Sequence, residues 1–287
     1  MTNVGARHPN KRCHWRNTNA RRANRHTVEA LVMLGLFLSG TVPARAACEF
    51  EPQGEGRVAA IIDGRNFRMD DGREVRLAGI EPLTSSPTDG AAHLRALIGG
   101  HNVVLRYPND MPDRYGRQPA FIFLPGAAHS LQHDLLAAGQ AVASATVADA
   151  GCAMELSVAE AEARAGGRGL WADPVAIKNA ERPGDILAEM GRFAVVEGKV
   201  LSARQAGATF YVNFGRRWTR DFAVTISRRM MPSFEAAGID LRSLTNKRIR
   251  VRGWVGRHGG PRIQATQVGQ IELVADDRTA TAASKDK

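Results

Sequence analysis

Gly56-Arg-Val-Ala-Ala-Ile-Ile-Asp63-Gly64-Arg65-Asn66-Phe-Arg-Met69-Asp-Asp71-Gly72-Arg-Glu74-Val-Arg-Leu-Ala-Gly-Ile80 carries the pattern from which the fold is read. Three short apolar segments rich in β-formers are separated by two Asp-Gly pairs, the strongest short-range signal for tight turns between strands. Downstream, His101 to Tyr107 and Pro119 to Leu124 read as two further strands. Helical spacing of apolar residues marks Ala91–Ile98, Ser130–Ala138 and Met154–Ala165, the last two ending at Gly139 and Gly166-Gly167. Five short strands with a few helices predict an α+β domain built on a small barrel with helical cover. An alternating βαβ sheet is excluded.

Charge divides the rest of the chain. The 287 residues carry a formal charge of +10, but unevenly. Residues 1–47 hold eight basic residues against Glu29, then a short apolar run from Val28 to Leu38, then Pro43-Ala44-Arg45-Ala46-Ala47. That order reads as a secretory signal cut after Ala46, with an uncleaved anchor as the alternative. After cleavage no stable membrane span is expected, and the location would be periplasmic or extracellular. Residues 48–191 sum to −7, residues 192–274 to +10, and residues 275–287 are balanced. The expected organisation is a leader (1–47), a first domain (48–173), a linker around Pro174 and Pro183-Gly184 (174–191), a basic second domain (192–274) and a disordered tail (275–287). Cys48 and Cys152 remain beyond the leader. An even pair in an oxidising compartment reads as a disulfide; two buried free thiols are the alternative.

Asp63-Gly64-x-x-Phe67, Val75-Arg-Leu-Ala-Gly-Ile-Glu81, Asp113-Arg-Tyr-Gly-Arg117, Leu136-x-x-Gly139-x-Ala141 and Ala161-x-x-Ala-x-x-x-x-Arg168-Gly-Leu-Trp171 follow in order. Together this segment, residues 55–173, resembles the staphylococcal nuclease (thermonuclease) family. The resemblance implies a five-stranded OB-type barrel and calcium-dependent hydrolysis of DNA or RNA phosphodiesters. It implies two arginines on the phosphate, and Arg76 and Arg117 occupy their places. It also implies two aspartates on calcium and a glutamate as general base. Here the sequence departs. The family's Asp-Gly-Asp-Thr reads Asp63-Gly64-Arg65-Asn66, and its Gly-Ile-Asp-x-Pro-Glu reads Gly79-Ile80-Glu81-Pro82-Leu83-Thr84. A cation at Arg65 opposes calcium, Glu81 keeps a carboxylate at the second ligand position, and the Thr84 hydroxyl is no base at ordinary pH.

Two functions follow from these departures. One is an exported phosphodiester hydrolase of altered activity, drawing on Asp63, Asp70 or Asp89 and using calcium if active. The other is a non-catalytic binder of DNA, RNA or another polyanion, needing no cofactor, in which Arg65 stands in for the metal. For Arg76 and Arg117 the alternative to phosphate contact is ion pairing within the barrel. His129 and His133 have metal-ligand spacing but no Glu-rich motif between them, so a surface pair is the simpler reading.

The second domain reads as strands over 193–201, 209–214, 222–226, 248–255, 262–266 and 270–274, with a helix near 231–237, resembling a second OB-like barrel. Arg216, Arg217, Trp218 and Arg220 cluster in one loop. Arg248-Ile-Arg250-Val-Arg252 alternates cationic and apolar residues. Phosphate contacts interleaved with aromatics suit a single strand. The alternative makes Trp218 and Trp254 core residues. Oligomeric state is not legible.

Overall fold

The computed structural model describes residue 48, residues 50–82 and residues 87–274. The expected leader and tail, Thr84 and the side chain of Asp89 lie outside the described residues. The first module runs β1 (Pro52–Ile61), β2 (Asn66–Met69), β3 (Glu74–Leu77), β4 (Ile80–Glu81), α1 (Pro87–Ile98), β5 (Asn102–Arg106), β6 (Gln118–Phe123), α2 (Leu131–Ala137), β7 (Val142–Ala143) and α3 (Ala150–Ala165). Five strands close into a barrel in the order β1-β2-β3-β6-β5, with β3 and β6 parallel. β1 starts four residues before the expected Gly56, because its first half pairs with β5 and its second half with β2. One bent strand serving two neighbours removes the sheet edges.

Alternation on these strands sorts core from site. Val75 and Leu77 are buried in the barrel, with Phe67, Leu105, Phe121 and Ile122, while Arg76 between them points the other way. Ser130 caps α2 by accepting from the His133 backbone N–H, and Asp149 caps α3 by accepting from that of Cys152. The Asp149 cap starts α3 four residues ahead of the expected Met154. Gly139 and Gly169 explain two glycines of the sequence motifs. Both have positive φ, 67° and 55°, and a Cβ on either would lie 2.1–2.3 Å from a carbonyl oxygen of the other's segment. The Leu170 N–H donates to the Gly139 carbonyl at 2.8 Å, so the backbones meet where only glycine fits.

The second module contains β8 (Ile177–Asn179), α4 (Pro183–Leu187), β9 (Phe193–Lys199), β10 (Ser202–Ala206), β11 (Thr209–Asn213), β12 (Ala223–Ser227), α5 (Met231–Ala236), β13 (Arg248–His258), β14 (Gly260–Ala265) and β15 (Ile271–Leu273). The segment expected as a linker holds β8, parallel to β9, and α4, which begins at Pro183 and buries Ile186. Proline suits a helix's first turn, so the punctuation read as a break is here a start.

In place of the expected second closed barrel there is an open mixed sheet in the order β10-β11-β12-β14-β13-β9-β8, with β15 on β13. The break falls at Val200-Leu201. Val200 exchanges backbone hydrogen bonds with the segment 246–247, whereas the Leu201 N–H turns to Asn213. β9 is thereby committed to β13, and β10 to β11.

The two modules share a seam. Val142, Ala163 and Trp171 of the first pack with Phe193 and Val195 of the second. Glu160 on α3, 1% exposed, receives a two-pronged hydrogen bond from Arg252 on β13, 2.7 and 2.9 Å. It also accepts from the Ala143 N–H at 2.6 Å and from Arg164 at 3.0 Å. Arg164 and Arg250 both reach Glu272, and Arg250 holds Glu197. Burial raises the Glu197 carboxyl, but hydrogen bonds from Arg248 and Arg250 outweigh it and leave it below its ordinary value. Among the described residues no helix is long and apolar enough to cross a membrane.

Arg252→Ala leaves the buried Glu160 carboxylate only Arg164 and the Ala143 N–H as partners and is expected to lower unfolding free energy by up to about 3 kcal/mol. In urea titration, a Glu160→Met/Arg252→Met double variant should recover part of that loss. Cys48 and Cys152 are bonded across a separation of 104 residues. Replacing both by serine releases that loop in the unfolded chain, with an expected loss of about 2–5 kcal/mol, read from the same titration.

Candidate functional site

A turn, a loop and a short strand bring the site together. After Asp63 the chain reverses, and the Asp63 carboxylate holds the reversal. Oδ1 accepts from the backbone N–H groups of Arg65 and Asn66, each at 2.8 Å, and Oδ2 accepts from Asn66 Nδ2 at 2.7 Å. Asn66 stands opposite Arg76 in the β2–β3 register. The 108–117 loop delivers Arg117, whose Nε and Nη2 donate to Asp113 Oδ2 at 2.9 and 2.7 Å. β4, pinned to β7 through Glu81 opposite Val142, delivers Glu81.

Arg65, Arg76, Glu81 and Arg117, singled out from the sequence, therefore converge, joined by Asp113 and Asn66. Glu81 is 5% exposed and bears both remaining cations: Arg65 pairs with its Oε2, and Arg76 Nη2 donates to Oε1 at 3.0 Å. Arg76 Nη1 also lies 3.9 Å from Asp113. Burial, then repulsion by Arg76 and Arg117, lowers Arg65 to about 10, so it stays protonated at neutral pH. Arg76 is lowered for the same reasons, burial first and Arg117 next. Burial raises the Asp113 carboxyl, yet hydrogen bonds from Arg117 prevail and hold it below its ordinary value.

This donor set does not fit calcium. The ion needs six to eight oxygens with little competition. Glu81 is bridged by two guanidinium groups, Asp63 is occupied with its own turn, and Asp113 is held by Arg117. Arg65 supplies a positive charge where the family pattern places a carboxylate. Asp70, the other carboxylate considered, lies at the β2–β3 turn, where its N–H donates to the Arg57 carbonyl.

Trp254 adds what the sequence left undecided. It is 52% exposed on β13, its ring 5.9 Å from the Arg65 guanidinium and edge-on to Phe193 at 6.1 Å. A cleft of about 550 Å³ on one side takes in Arg65, Glu81 and Lys178. A second, of about 430 Å³, takes in Glu81, Arg257 and Arg262. Both clefts are bounded by Trp254. The other basic residues separate into two groups. Arg216, Arg217 and Arg220 are exposed around Trp218, which is 69% exposed and no core residue. Arg250 and Arg252 are buried in the seam against Glu197, Glu160 and Glu272, so they are not offered to a ligand. Alternation showed two faces of that strand but not which face was covered.

Converting Arg65 to aspartate should turn the site toward calcium. The Arg65→Asp variant is expected to lose stability in the absence of metal and to gain melting temperature with calcium. Saturation a hundredfold above Kd would add about 2.7 kcal/mol, on the order of 5–10 °C for a domain of this size. The unaltered chain should show no such shift in the same thermal scan.

The chain as a whole has no match among curated proteins. Residues 87–173 match the family model described as staphylococcal nuclease homologue. That match runs from α1 through Asp113, Arg117 and Gly139 to just beyond Trp171, and leaves Arg65, Arg76 and Glu81 on its N-terminal side. Residues 87–173, which hold barrel strands β5 and β6 and the Gly139–Gly169 contact, are therefore a staphylococcal nuclease homologue domain.

Proposed function

We propose that this chain binds single-stranded nucleic acid without cutting it through calcium chemistry. The observation that carries this reading is Arg65 seated on Glu81 beside Trp254. A guanidinium takes the charge role of the metal, and an exposed indole lies next to it. Arginine has five N–H donors, and the carboxylates occupy only some of them, so a phosphate can compete for the rest. A base stacked on Trp254 would place its phosphates toward Arg65 and Arg76 on one side and Arg257 on the other. The exposed loop with Arg216, Arg217, Trp218 and Arg220 would extend the track, since the Gly260 N–H at the β13–β14 turn donates to the Trp218 carbonyl at 3.4 Å.

Two further inferences belong to this reading. The second module is OB-like: β9 and β10 count as one bent first strand, and the parallel β12–β14 pair repeats the β3–β6 arrangement of the first barrel. The protein works outside the cytoplasm, periplasmic or extracellular. The basic leader, the apolar run and the Ala44-Arg45-Ala46 site support export, as does the Cys48–Cys152 disulfide.

The reading is tested by anisotropy of a labelled single-stranded oligonucleotide across ionic strengths. Trp254→Ala is expected to weaken binding roughly tenfold with little change in salt slope, as removal of a stacking platform does. Replacing Arg216, Arg217 and Arg220 by serine should flatten the slope by about 0.7 for each phosphate no longer neutralised. No binding at low ionic strength would sink the proposal. Calcium-dependent cleavage abolished by Arg76→Ala would favour the hydrolase instead.

A further inference from the structure

We propose that His129, His133 and Glu155 form a site for a divalent transition ion of the zinc class, fastening α2 to α3. The two histidines are four residues apart, one just before the Ser130 cap and one in the first turn of α2. The capped turn puts both imidazoles on one face, where they stack with centroids 4.1 Å apart and planes 16° apart. The third ligand comes from the neighbouring helix: Glu155 Oε1 lies 3.5 Å from His129 Nδ1. One ligand atom from each residue can be chosen so that all three lie within 4.8 Å of one another.

Chemistry selects the ion. Two imidazole nitrogens and one carboxylate oxygen suit zinc and its neighbours, whereas calcium and magnesium favour all-oxygen sets. Donors around tetrahedral zinc at 2.0–2.1 Å stand about 3.3 Å apart, so His129 and Glu155, at 3.5 Å, are already near that spacing and the widest pair must close by up to about 1.5 Å. His129, with a side chain 47% exposed, can make that movement by rotating its ring without repacking a core. His133 is better held. Its Nδ1 is 3.2 Å from Asp134 Oδ1, and a ring donating there turns its Nε2 lone pair outward as a ligand. Behind Glu155, Cys152 ties the start of α3 to Cys48. Three protein ligands leave a fourth position for water. None of these residues belongs to the Arg65, Arg76 and Arg117 cluster, so the site stands independently of nucleic-acid binding.

The test is titration of the oxidised full chain, without thiol reagents, first with cobalt(II) followed by visible absorption and then with zinc followed by calorimetry. Saturable binding of one ion per chain is expected, with a tetrahedral cobalt spectrum that zinc displaces. His133→Ala and Glu155→Gln should each weaken binding by about tenfold or more. His129→Ala, at an exposed position where folding is not at stake, should do the same, and His101→Ala, at another exposed histidine, should change nothing. The melting temperature of the unaltered chain should rise with zinc concentration. A folded chain that gives no cobalt spectrum would overturn the proposal. So would His129→Ala, His133→Ala and Glu155→Gln variants that titrate like the unaltered chain.

Discussion

A carboxylate taken out of water must be matched by donors or it opposes folding, and Glu160 is that group here. Its two oxygens receive Arg252, Arg164 and the Ala143 N–H. The last bond reaches the functional site. Ala143 belongs to β7, β7 pairs with β4, and β4 holds Glu81 beneath Arg65 and Arg76. The ion pair that joins the modules therefore also fixes the strand that carries the central acid of the arginine cluster. Seam and site form one hydrogen-bonded chain across both modules.

The seam also gives the unequal charges a meaning. An acidic first region and a basic second region read naturally as a body and a ligand-binding attachment. Two of the cations in that second region are instead committed inside the protein. Arg250 and Arg252 meet Glu160, Glu197 and Glu272, and Lys178 meets Glu189 at 3.0 Å. Cations committed this way cannot add to long-range attraction for a polyanion. The exposed cations nearest the candidate site are those of the 216–220 loop and Arg257, while Arg204, Arg228, Arg229 and Arg242 are exposed elsewhere on the second module.

The barrel was legible because its signals are local. Asp-Gly turns and two-residue alternation act within a few residues of one another. Arg76, Glu81 and Arg117 were legible through their motif contexts, and the departure at Arg65 was visible as a change of charge sign. Other features were set by contacts distant in sequence. Arg252 finds Glu160 across 92 positions, so nothing near Arg252 marks its face as covered. Trp254 follows apolar residues in a strand and resembles core until its neighbours leave it half exposed. Glu155 completes a histidine pair from the next helix, which sequence spacing along α2 could not show. β8 is three residues long, too short to carry a period, and exists because β9 offers it an edge.

Substituting a metal ligand by arginine changes more than one interaction. A calcium ion held by carboxylates is exchangeable and polarises water, whereas a guanidinium tethered to β2's turn is permanent and supplies no activated water. Charge neutralisation of a phosphate survives that exchange; generation of a nucleophile does not. Beside that guanidinium lies an aromatic surface, Trp254, on a module fixed against the barrel by Glu160. In the proposed reading, the guanidinium and the indole beside it act in one direction, toward holding a phosphodiester without attacking it.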